Sequence, residues 1–537
     1  MRGIKFASFG FTALMTTVWA TSSCTGPSDD CETHLMCPGG GTAGSAGSKS
    51  DAGEGNAGTS GTSGGKGGAG SAGSSSGGKS GMSGASGKNS GGEGGAGGMG
   101  GGCDTTKSPT EEACLVADDY AVFVAPDGDD DNNDGSQAAP FASLTKAVEV
   151  AAGAKLVLVC DATYDEHVVI ASGARVYGGF KCTDWSAEAQ KPLFKPTTAG
   201  PALKIDGVVD EVLLENTSFE VGDATAAGET ALAAIVNASP SVTLRAVSLK
   251  AGKGKAGAKG TLSPFVLPAR TELDGNSATN VITGGAPQPY TCPGGAKTSG
   301  GIGGSASPGG QPGGDGTPFL EAGKGKGGTP GSCATGLGGD GANAPDSPAA
   351  SGAKALGILS AIGWSTGSGG DGANGGPGQG GGGGASSDAG GGSGGGAGAC
   401  GGAGAKGGQG GGGSIALAVL ASAVALETSE LATADAGDGG ASVAGQSADK
   451  VNHKGGFAGT STGPGACQGG AGGLGGDGAA GGGGAGGISV GIVWKGAMTP
   501  TVSADTTITN GKAGAKGTGG AANDGIAGVS QKILAAN

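Results

Sequence analysis

Glycine is the feature of this sequence that most restricts what the chain can fold into. Of its 537 residues, 131 are glycine, whereas average usage is about 7%. Glycine loses more backbone freedom on folding than any other residue and brings no side chain to a core. Aromatic residues make up only 4% of the chain, so we do not expect one large packed domain. Collagen is also excluded, because the chain has only 23 prolines and its glycines follow no strict three-residue period along the whole chain.

The first twenty residues predict export. Arg2 and Lys5 are followed by an uncharged stretch at 6–20, which is too short to span a bilayer but suits a secretory signal. We expect residues 1–23 to be a signal peptide of the lipoprotein type, with Cys24 as the lipidated first residue of an outer-membrane or cell-surface protein. The alternative is a secreted protein produced by cleavage near Ala20.

The cysteine count agrees with lipidation. Eleven cysteines are an odd number for an exported chain, and using Cys24 for the lipid leaves ten for disulfides. Connectivity does not follow from sequence, so proximity guides the choice. The expected pairs are Cys31–Cys37, Cys103–Cys114, Cys160–Cys182, Cys292–Cys333 and Cys400–Cys467.

The mature chain divides into three parts. Residues 24–38 form a short disulfide segment, and residues 39–102 form a Gly/Ser-rich linker without Val, Ile, Leu, Phe, Tyr or Trp. Such a linker cannot build a core, so we expect it to be disordered. Residues 103–537 form the folded domain. This order of parts resembles that of glycine-rich (PGRS-like) bacterial surface lipoproteins.

The folded domain begins with short β-rich runs and an internal repeat. Val212-Leu213-Leu214 leads to Phe219, and thirty residues later Val242-Thr243-Leu244 leads to Leu249. The longer unit at 231–254 recurs at 415–439 and 488–514, with a weaker copy expected around 355–359. Units that cannot bury a face alone must stack, and short stacked strands predict a mostly β, parallel β-solenoid.

One segment carries a more specific resemblance. Residues 122–151 combine a strand, an acidic turn, a Pro-Phe pair and a helix for which Ser143 is the expected N-cap. This order resembles the start of pectate-lyase-like right-handed parallel β-helices, which implies that fold. The fold hosts lyases, hydrolases, adhesins and inert surface proteins, so it does not indicate one activity. The residues that carry the resemblance are Asp127, Asp129, Asp134, Gly135, Pro140, Phe141 and Ala147.

Long glycine-rich blocks interrupt the repeat at about 292–352, 366–413, 435–487 and 511–528. We interpret them as excursions from the solenoid. They could be mobile loops, or they could pack as ordered extended segments, which glycine's missing Cβ would permit. On the loop interpretation, deleting ten residues within 380–398 should cost little stability, because loop-closure entropy changes slowly with length.

The acidic turn is the best candidate for a ligand site. Carboxylate and amide oxygens at alternating positions suit Ca²⁺, so Ca²⁺ is the one cofactor that we consider. The alternative is a solvated turn in which the same side chains cap backbone N–H groups. The candidate calcium ligands are Asp127, Asp129, Asp131, Asn133 and Asp134.

Catalytic machinery is sparse in the sequence. The nearest cluster of charged residues is Lys204, Asp206, Asp210 and Glu211, which strand alternation places on a solvated face. The net charge of −14 argues against nucleic acid as a partner. We expect a surface lipoprotein with a structural, adhesive or matrix role and no catalysis, with the membrane, polysaccharide or the cell-surface matrix as partners. The alternatives are a polysaccharide lyase or hydrolase of the β-helix class and a non-catalytic glycan-binding module.

Overall fold

The computed structural model describes residues 103–520 and 523–536. The predicted signal peptide, Cys24, the Cys31–Cys37 pair and the linker at 39–102 lie outside the described residues. The helices are α1 (Leu144–Ala151) and α2 (Cys333–Gly336), with 3₁₀ turns at Ala113–Leu115 and Arg270–Glu272. The strands are β1 (Ala121–Val124), β2 (Leu156–Cys160), β3 (Thr163–Tyr164), β4 (Val168–Ile170), β5 (Ala174–Phe180), β6 (Leu193–Phe194), β7 (Leu203–Asp206), β8 (Val212–Glu215), β9 (Ser218–Val221), β10 (Ala231–Asn237), β11 (Val242–Arg245), β12 (Ser248–Ala251), β13 (Pro289–Thr291), β14 (Lys297–Ser299), β15 (Gly357–Ser360), β16 (Gly363–Thr366), β17 (Ser414–Leu420), β18 (Val424–Glu427), β19 (Glu430–Thr433), β20 (Ser489–Lys495), β21 (Thr501–Val502), β22 (Thr507–Thr509) and β23 (Ser530–Ala535).

Three parallel sheets form a solenoid. The first has the strand order β1-β2-β5-β8-β11-β18-β21, the second β23-β20-β17-β10-β7-β4, and the third β22-β19-β12-β9-β6-β3. From β10 onward each turn of the chain adds a strand to the second, first and third sheets in succession, as in β10-β11-β12 and β17-β18-β19. The chain is therefore a parallel β-helix, and the predicted fold class is confirmed at that level.

The predicted repeat is confirmed residue by residue. Val242 pairs with Val212 and Leu244 with Leu214 in the first sheet, and Leu249 pairs with Phe219 in the third. These six side chains are buried in the solenoid core, because alternate residues of a strand point to the same face.

The later units stack as expected, with one exception. Strand β10 pairs in parallel with β17, and β17 with β20. The weak copy predicted around 355–359 is wrong: β15 and β16 form an antiparallel hairpin. Leu359 and Trp364 of this hairpin cover outward-facing residues of the second sheet, among them Leu232 and Ile415. The alternation of apolar residues in this sequence does not distinguish a hairpin that packs on the outside of the solenoid from a turn of the solenoid itself.

Helix α1 packs against the first strands of the solenoid. The Ser143 side chain caps it by accepting a hydrogen bond from the Lys146 N–H at 3.2 Å. The buried side chains Leu144, Ala147, Val148 and Ala151 join the core cluster that fills the solenoid. The N-cap and the apolar face are those that the sequence predicted.

The glycine-rich excursions are packed structure. They leave the solenoid after β12, β19 and β22 and return at β17, β20 and β23. Along them, hydrogen bonds between segments recur at every third residue, as from the N–H groups of Gly396, Ala399 and Gly402 to the carbonyls of Gly470, Gly473 and Gly476. Three residues per turn without internal hydrogen bonds is the geometry of a polyproline II helix.

Three of these segments form the centre of the bundle: 367–386, 390–413 and 467–487. Each hydrogen-bonds to the other two and to four further segments. Each central segment therefore has six neighbours, as in hexagonal packing. Among the described residues, nine segments surround these three: 253–262 with 273–279, 284–288, 298–306, 311–318, 325–330, 336–353, 435–447 with 455–462, 511–518, and 523–528.

Glycine permits this packing because the segments approach backbone to backbone. A Cβ added to Gly395 would overlap the carbonyl group of Gly381. Within 390–413, glycine occupies every third position from 392 to 413. The glycines therefore follow a three-residue period within this segment, although they follow none along the whole chain. The loop interpretation is corrected accordingly, and the first excursion begins at 252 rather than 292.

Candidate functional site

The acidic turn after β1 is held together by its own side chains. The Asp129 carboxylate accepts hydrogen bonds from the N–H groups of Asp131 and Asn132 at 2.9 and 3.0 Å, and from Asn132 Nδ2 at 2.8 Å. Asp134 accepts the Ser136 N–H at 3.0 Å. The Asn132 side chain holds the pKa of Asp129 below its usual value. These carboxylates stabilise the turn, as the alternative hypothesis expected.

Two further carboxylates join this turn to α1. Asp130 accepts the N–H groups of Ala142 and Ser143 at 2.8 and 3.0 Å. Glu166, from the loop after β3, accepts the N–H groups of Leu144 and Thr145 at 2.9 Å each. Carboxylates at a helix N-terminus are favoured by the unpaired N–H groups and the helix dipole. Sequence reasoning missed Glu166 because it lies about twenty residues from the helix start.

The structure does not gather the candidate calcium ligands into a metal-binding group. Asp129 and Asp134 are engaged with backbone N–H groups, and Asn133 Nδ2 donates to the Pro140 carbonyl at 2.7 Å. Within residues 103–520 and 523–536, no group of three or more His, Cys, Asp or Glu side chains is placed to hold a metal ion. Calcium at Asp127, Asp129, Asp131, Asn133 and Asp134 stays a prediction, without support from this geometry.

Four disulfides form in the described residues, and two of the predicted pairings are wrong. Cys103–Cys114 and Cys160–Cys182 are confirmed. The others are Cys292–Cys400 and Cys333–Cys467 instead of Cys292–Cys333 and Cys400–Cys467. Each joins a peripheral element to a central segment of the bundle. Proximity in sequence failed here because the bonded cysteines lie 108 and 134 residues apart in the chain.

The charged residues of the solenoid surface form ion-pair ladders across neighbouring coils. Glu220 lies between Lys195 and Lys250 at 2.9 and 3.1 Å. Arg245 bridges Glu215 and Glu427 at 3.1 and 2.8 Å. Within the predicted charged cluster, Lys204 and Asp206 pair at 2.8 Å.

The shifted carboxyl pKa values of the described residues are lowered. Partial burial would raise the pKa of Glu220, but its bonds to Lys195 and Lys250 outweigh burial and hold the pKa below its usual value. The Lys204 and Asn237 side chains likewise lower the pKa of Asp206. A general acid working near neutral pH needs a raised pKa. Every Asp or Glu of the described residues whose pKa clearly departs from its usual value is shifted downward.

Comparison with known proteins reaches only the start of the solenoid. Residues 127–183 match the family described as "Protein of unknown function (DUF1565)", which is associated with β-helix-like proteins. The match spans the acidic turn, α1 and strands β2 to β5. It agrees with the parallel sheets. No curated protein and no solved structure matches the chain.

The disulfides point to an exported protein, because such bonds persist in oxidising compartments. Within the part of the chain that the structure describes, no helix combines the length and apolar character needed to cross a membrane.

Proposed function

We propose that this chain is a lipoprotein of the outer membrane or cell surface, anchored through Cys24, with an adhesive or matrix-forming role and no catalysis. The observation that carries the proposal is the disulfide-linked bundle of twelve extended segments. It extends the solenoid sideways as a continuously hydrogen-bonded platform. A platform of this kind displays turns and faces rigidly, as binding or assembly at a surface requires.

The linker suits the same role. A flexible Gly/Ser-rich chain over 39–102 would have an end-to-end distance of about 40–50 Å. That distance would hold the folded domain clear of lipid head groups while leaving it free to reorient. The right-handed, pectate-lyase-like form of the solenoid belongs to this proposal as well.

A lyase or hydrolase is the weaker proposal. Three carboxylates on the solenoid surface, Glu215, Glu220 and Glu427, are paired with Lys195, Arg245 and Lys250. The shifted pKa values of Asp206 and Glu220 lie in the direction opposite to that of a general acid.

Lipid anchoring is tested first with Cys24→Ala in the full chain. We expect the wild type in the membrane fraction and the variant in the soluble fraction, because one acyl-modified residue supplies the anchor. Cys31→Ala is the matched control and should stay with the membrane. A soluble wild type with its N-terminus at Thr21 would contradict anchoring.

The adhesive role is tested with cells that make or lack the full chain. Attachment to polysaccharide-coated surfaces and to neighbouring cells should fall when the chain is absent. Equal attachment of both strains would overturn the adhesive part of the proposal.

A further inference from the structure

The end of the bundle remote from the solenoid contains a cavity of about 370 Å³. This end is where segment 367–386 turns into 390–413, whereas the other end of 390–413 continues into β17. Four separate turns meet around the cavity. Its lining residues are Gly309, Gly331, Ser386, Ser387, Asp388, Ala389 and Pro464. A volume of this size lies within the range of small-molecule sites.

Side-chain hydrogen bonds fix the walls of this tip cavity to one another. Asp388 Oδ1 accepts the Gly309 N–H at 2.6 Å, and Ser387 Oγ donates to the Pro464 carbonyl at 2.6 Å. The buried Ser386 Oγ accepts the Gln311 N–H at 2.6 Å and donates to the Ser305 carbonyl at 2.7 Å. The tip cavity is thus shaped before any ligand arrives, which lowers the entropy cost of binding.

A covalent bond reinforces the same walls. Cys333 follows Gly331 by two residues, Cys467 follows Pro464 by three, and the two cysteines form a disulfide. The turns on two sides of the cavity are therefore linked directly, and they cannot separate far without breaking this bond.

The lining determines which ligands the cavity can accept. It contains no aromatic, basic or large apolar side chain, and the Ser386 and Ser387 hydroxyls already donate to the Ser305 and Pro464 carbonyls, so the side-chain group left for a ligand is the Asp388 carboxylate. Oδ2 of Asp388 accepts no hydrogen bond from the described residues, and the side chain is exposed. A carboxylate oxygen accepts hydrogen bonds, so it fits a ligand that donates them through hydroxyl or ammonium groups. The carboxylate favours neutral or cationic ligands over anionic ones.

We propose that the tip cavity binds a terminal neutral or amino sugar of a glycan. The proposal rests on the adhesive role proposed above and names its ligand class. Without an aromatic side chain to stack on the sugar ring, a single site would bind weakly. Many copies displayed on one cell would compensate through multivalent attachment.

The test uses the purified full chain and four methyl glycosides: those of galactose, N-acetylglucosamine, glucosamine and glucuronic acid. Binding is measured by titration at millimolar ligand. We expect at least one neutral or amino sugar to bind, and the glucuronide to bind more weakly. Ala389→Trp should abolish binding by filling the cavity, and Asp388→Asn should weaken glucosamine binding about tenfold.

Asp371→Asn is the matched control. Asp371 accepts the Gly407 N–H at 3.0 Å, much as Asp388 accepts that of Gly309, but it does not line the cavity. The control should bind like the wild type. The proposal is overturned if no glycoside binds, or if Ala389→Trp binds the glycosides as well as the wild type does. It is also overturned if titration with calcium chloride shows binding of Ca²⁺ and the glycosides show none.

Cell attachment separates the two proposals. If cells carrying Ala389→Trp attach as well as wild-type cells while cells lacking the chain do not, the tip cavity is not the adhesive site but the adhesive role stands. If wild-type and deletion cells attach equally, the adhesive role itself fails.

Discussion

Single glycines in the central segments act through the space that a side chain would need. At Gly395 a Cβ would meet the Gly381 carbonyl group, and at Gly383 it would meet that of Ile302. Backbone carbonyls anchored by hydrogen bonds on several sides cannot move aside cheaply. Composition alone counts such glycines as entropic cost, whereas in the bundle they are positions that no other residue can occupy.

We therefore expect Gly395→Ala to destabilise the fold by about 1–3 kcal/mol, the usual cost of overpacking. Gly222→Ala is the matched control, because a Cβ at Gly222 would meet nothing within 4 Å. It should be neutral or slightly stabilising, since it reduces unfolded-state entropy. Chemical denaturation of both full-length variants measures the difference, and equal stability would contradict close packing at Gly395.

Two kinds of element share one hydrogen-bonding scheme. Strands of the solenoid pair with neighbouring coils, and the extended segments that leave the sheets continue lateral hydrogen bonds at three-residue intervals. The bond from the Ser414 N–H to the Ile488 carbonyl lies at the transition from bundle to solenoid. Adjacent parallel strands are about 4.8 Å apart, and the bundle segments that enter β17 and β20 remain neighbours along their whole length.

At this scale we expect the bundle to contribute as much to stability as the solenoid core. Leu244→Ala removes a fully buried side chain and should cost about 2–5 kcal/mol. Deleting residues 381–390 removes buried backbone and the turn between two central segments, so it should destabilise more than Leu244→Ala. Thermal unfolding of the two full-length variants decides the order. A deletion that costs less than the core substitution would restore the loop interpretation.

Across the whole molecule, acidic side chains complete the hydrogen bonding of peripheral segments. Asp340, Asn343 and Asp346 accept the N–H groups of Ala471, Leu474 and Asp477, each at 2.8 Å. In the same arrangement, Asp435 and Asp438 accept hydrogen bonds from the N–H groups of Lys512 and Ala515. The acidic charge of the chain thus has a structural use, which explains why it does not by itself mark a ligand site.

These contacts predict how stability depends on pH. The Asp477 N–H and then Lys450 lower the pKa of Asp346, while Lys406 and then the Gly407 N–H lower that of Asp371. In the unfolded chain an aspartate has a pKa of about 3.9. Because the folded pKa values lie lower, the stabilisation is present above about pH 4 and is lost as the pH falls through the folded values.

The midpoint of thermal unfolding should therefore be nearly constant between about pH 5 and 7 and should fall below about pH 4. Differential scanning calorimetry of the full chain measures this. Asp346→Asn keeps an oxygen acceptor for the Asp477 N–H but does not titrate, so it should flatten part of the decline. A midpoint that rises on acidification would contradict the assigned role of these aspartates.

The solenoid was predictable because its determinants are local. The Ser143 cap, the apolar face of α1 and the 212-to-242 repeat follow from side-chain spacing, and the two coils of that repeat are only thirty residues apart in the chain. The two confirmed disulfides share this property, since they join cysteines 11 and 22 residues apart.

Only the tertiary structure decided the state of the glycine segments, the Cys292–Cys400 and Cys333–Cys467 pairs, and the tip cavity. A polyproline II segment has no internal hydrogen bonds, so its sequence does not specify a partner. The three-residue glycine period permits close packing only when six neighbouring segments are in place, and these segments come from distant parts of the chain. Asp388 likewise lies between serine and alanine in a low-complexity stretch, and the cavity exists only where four turns meet.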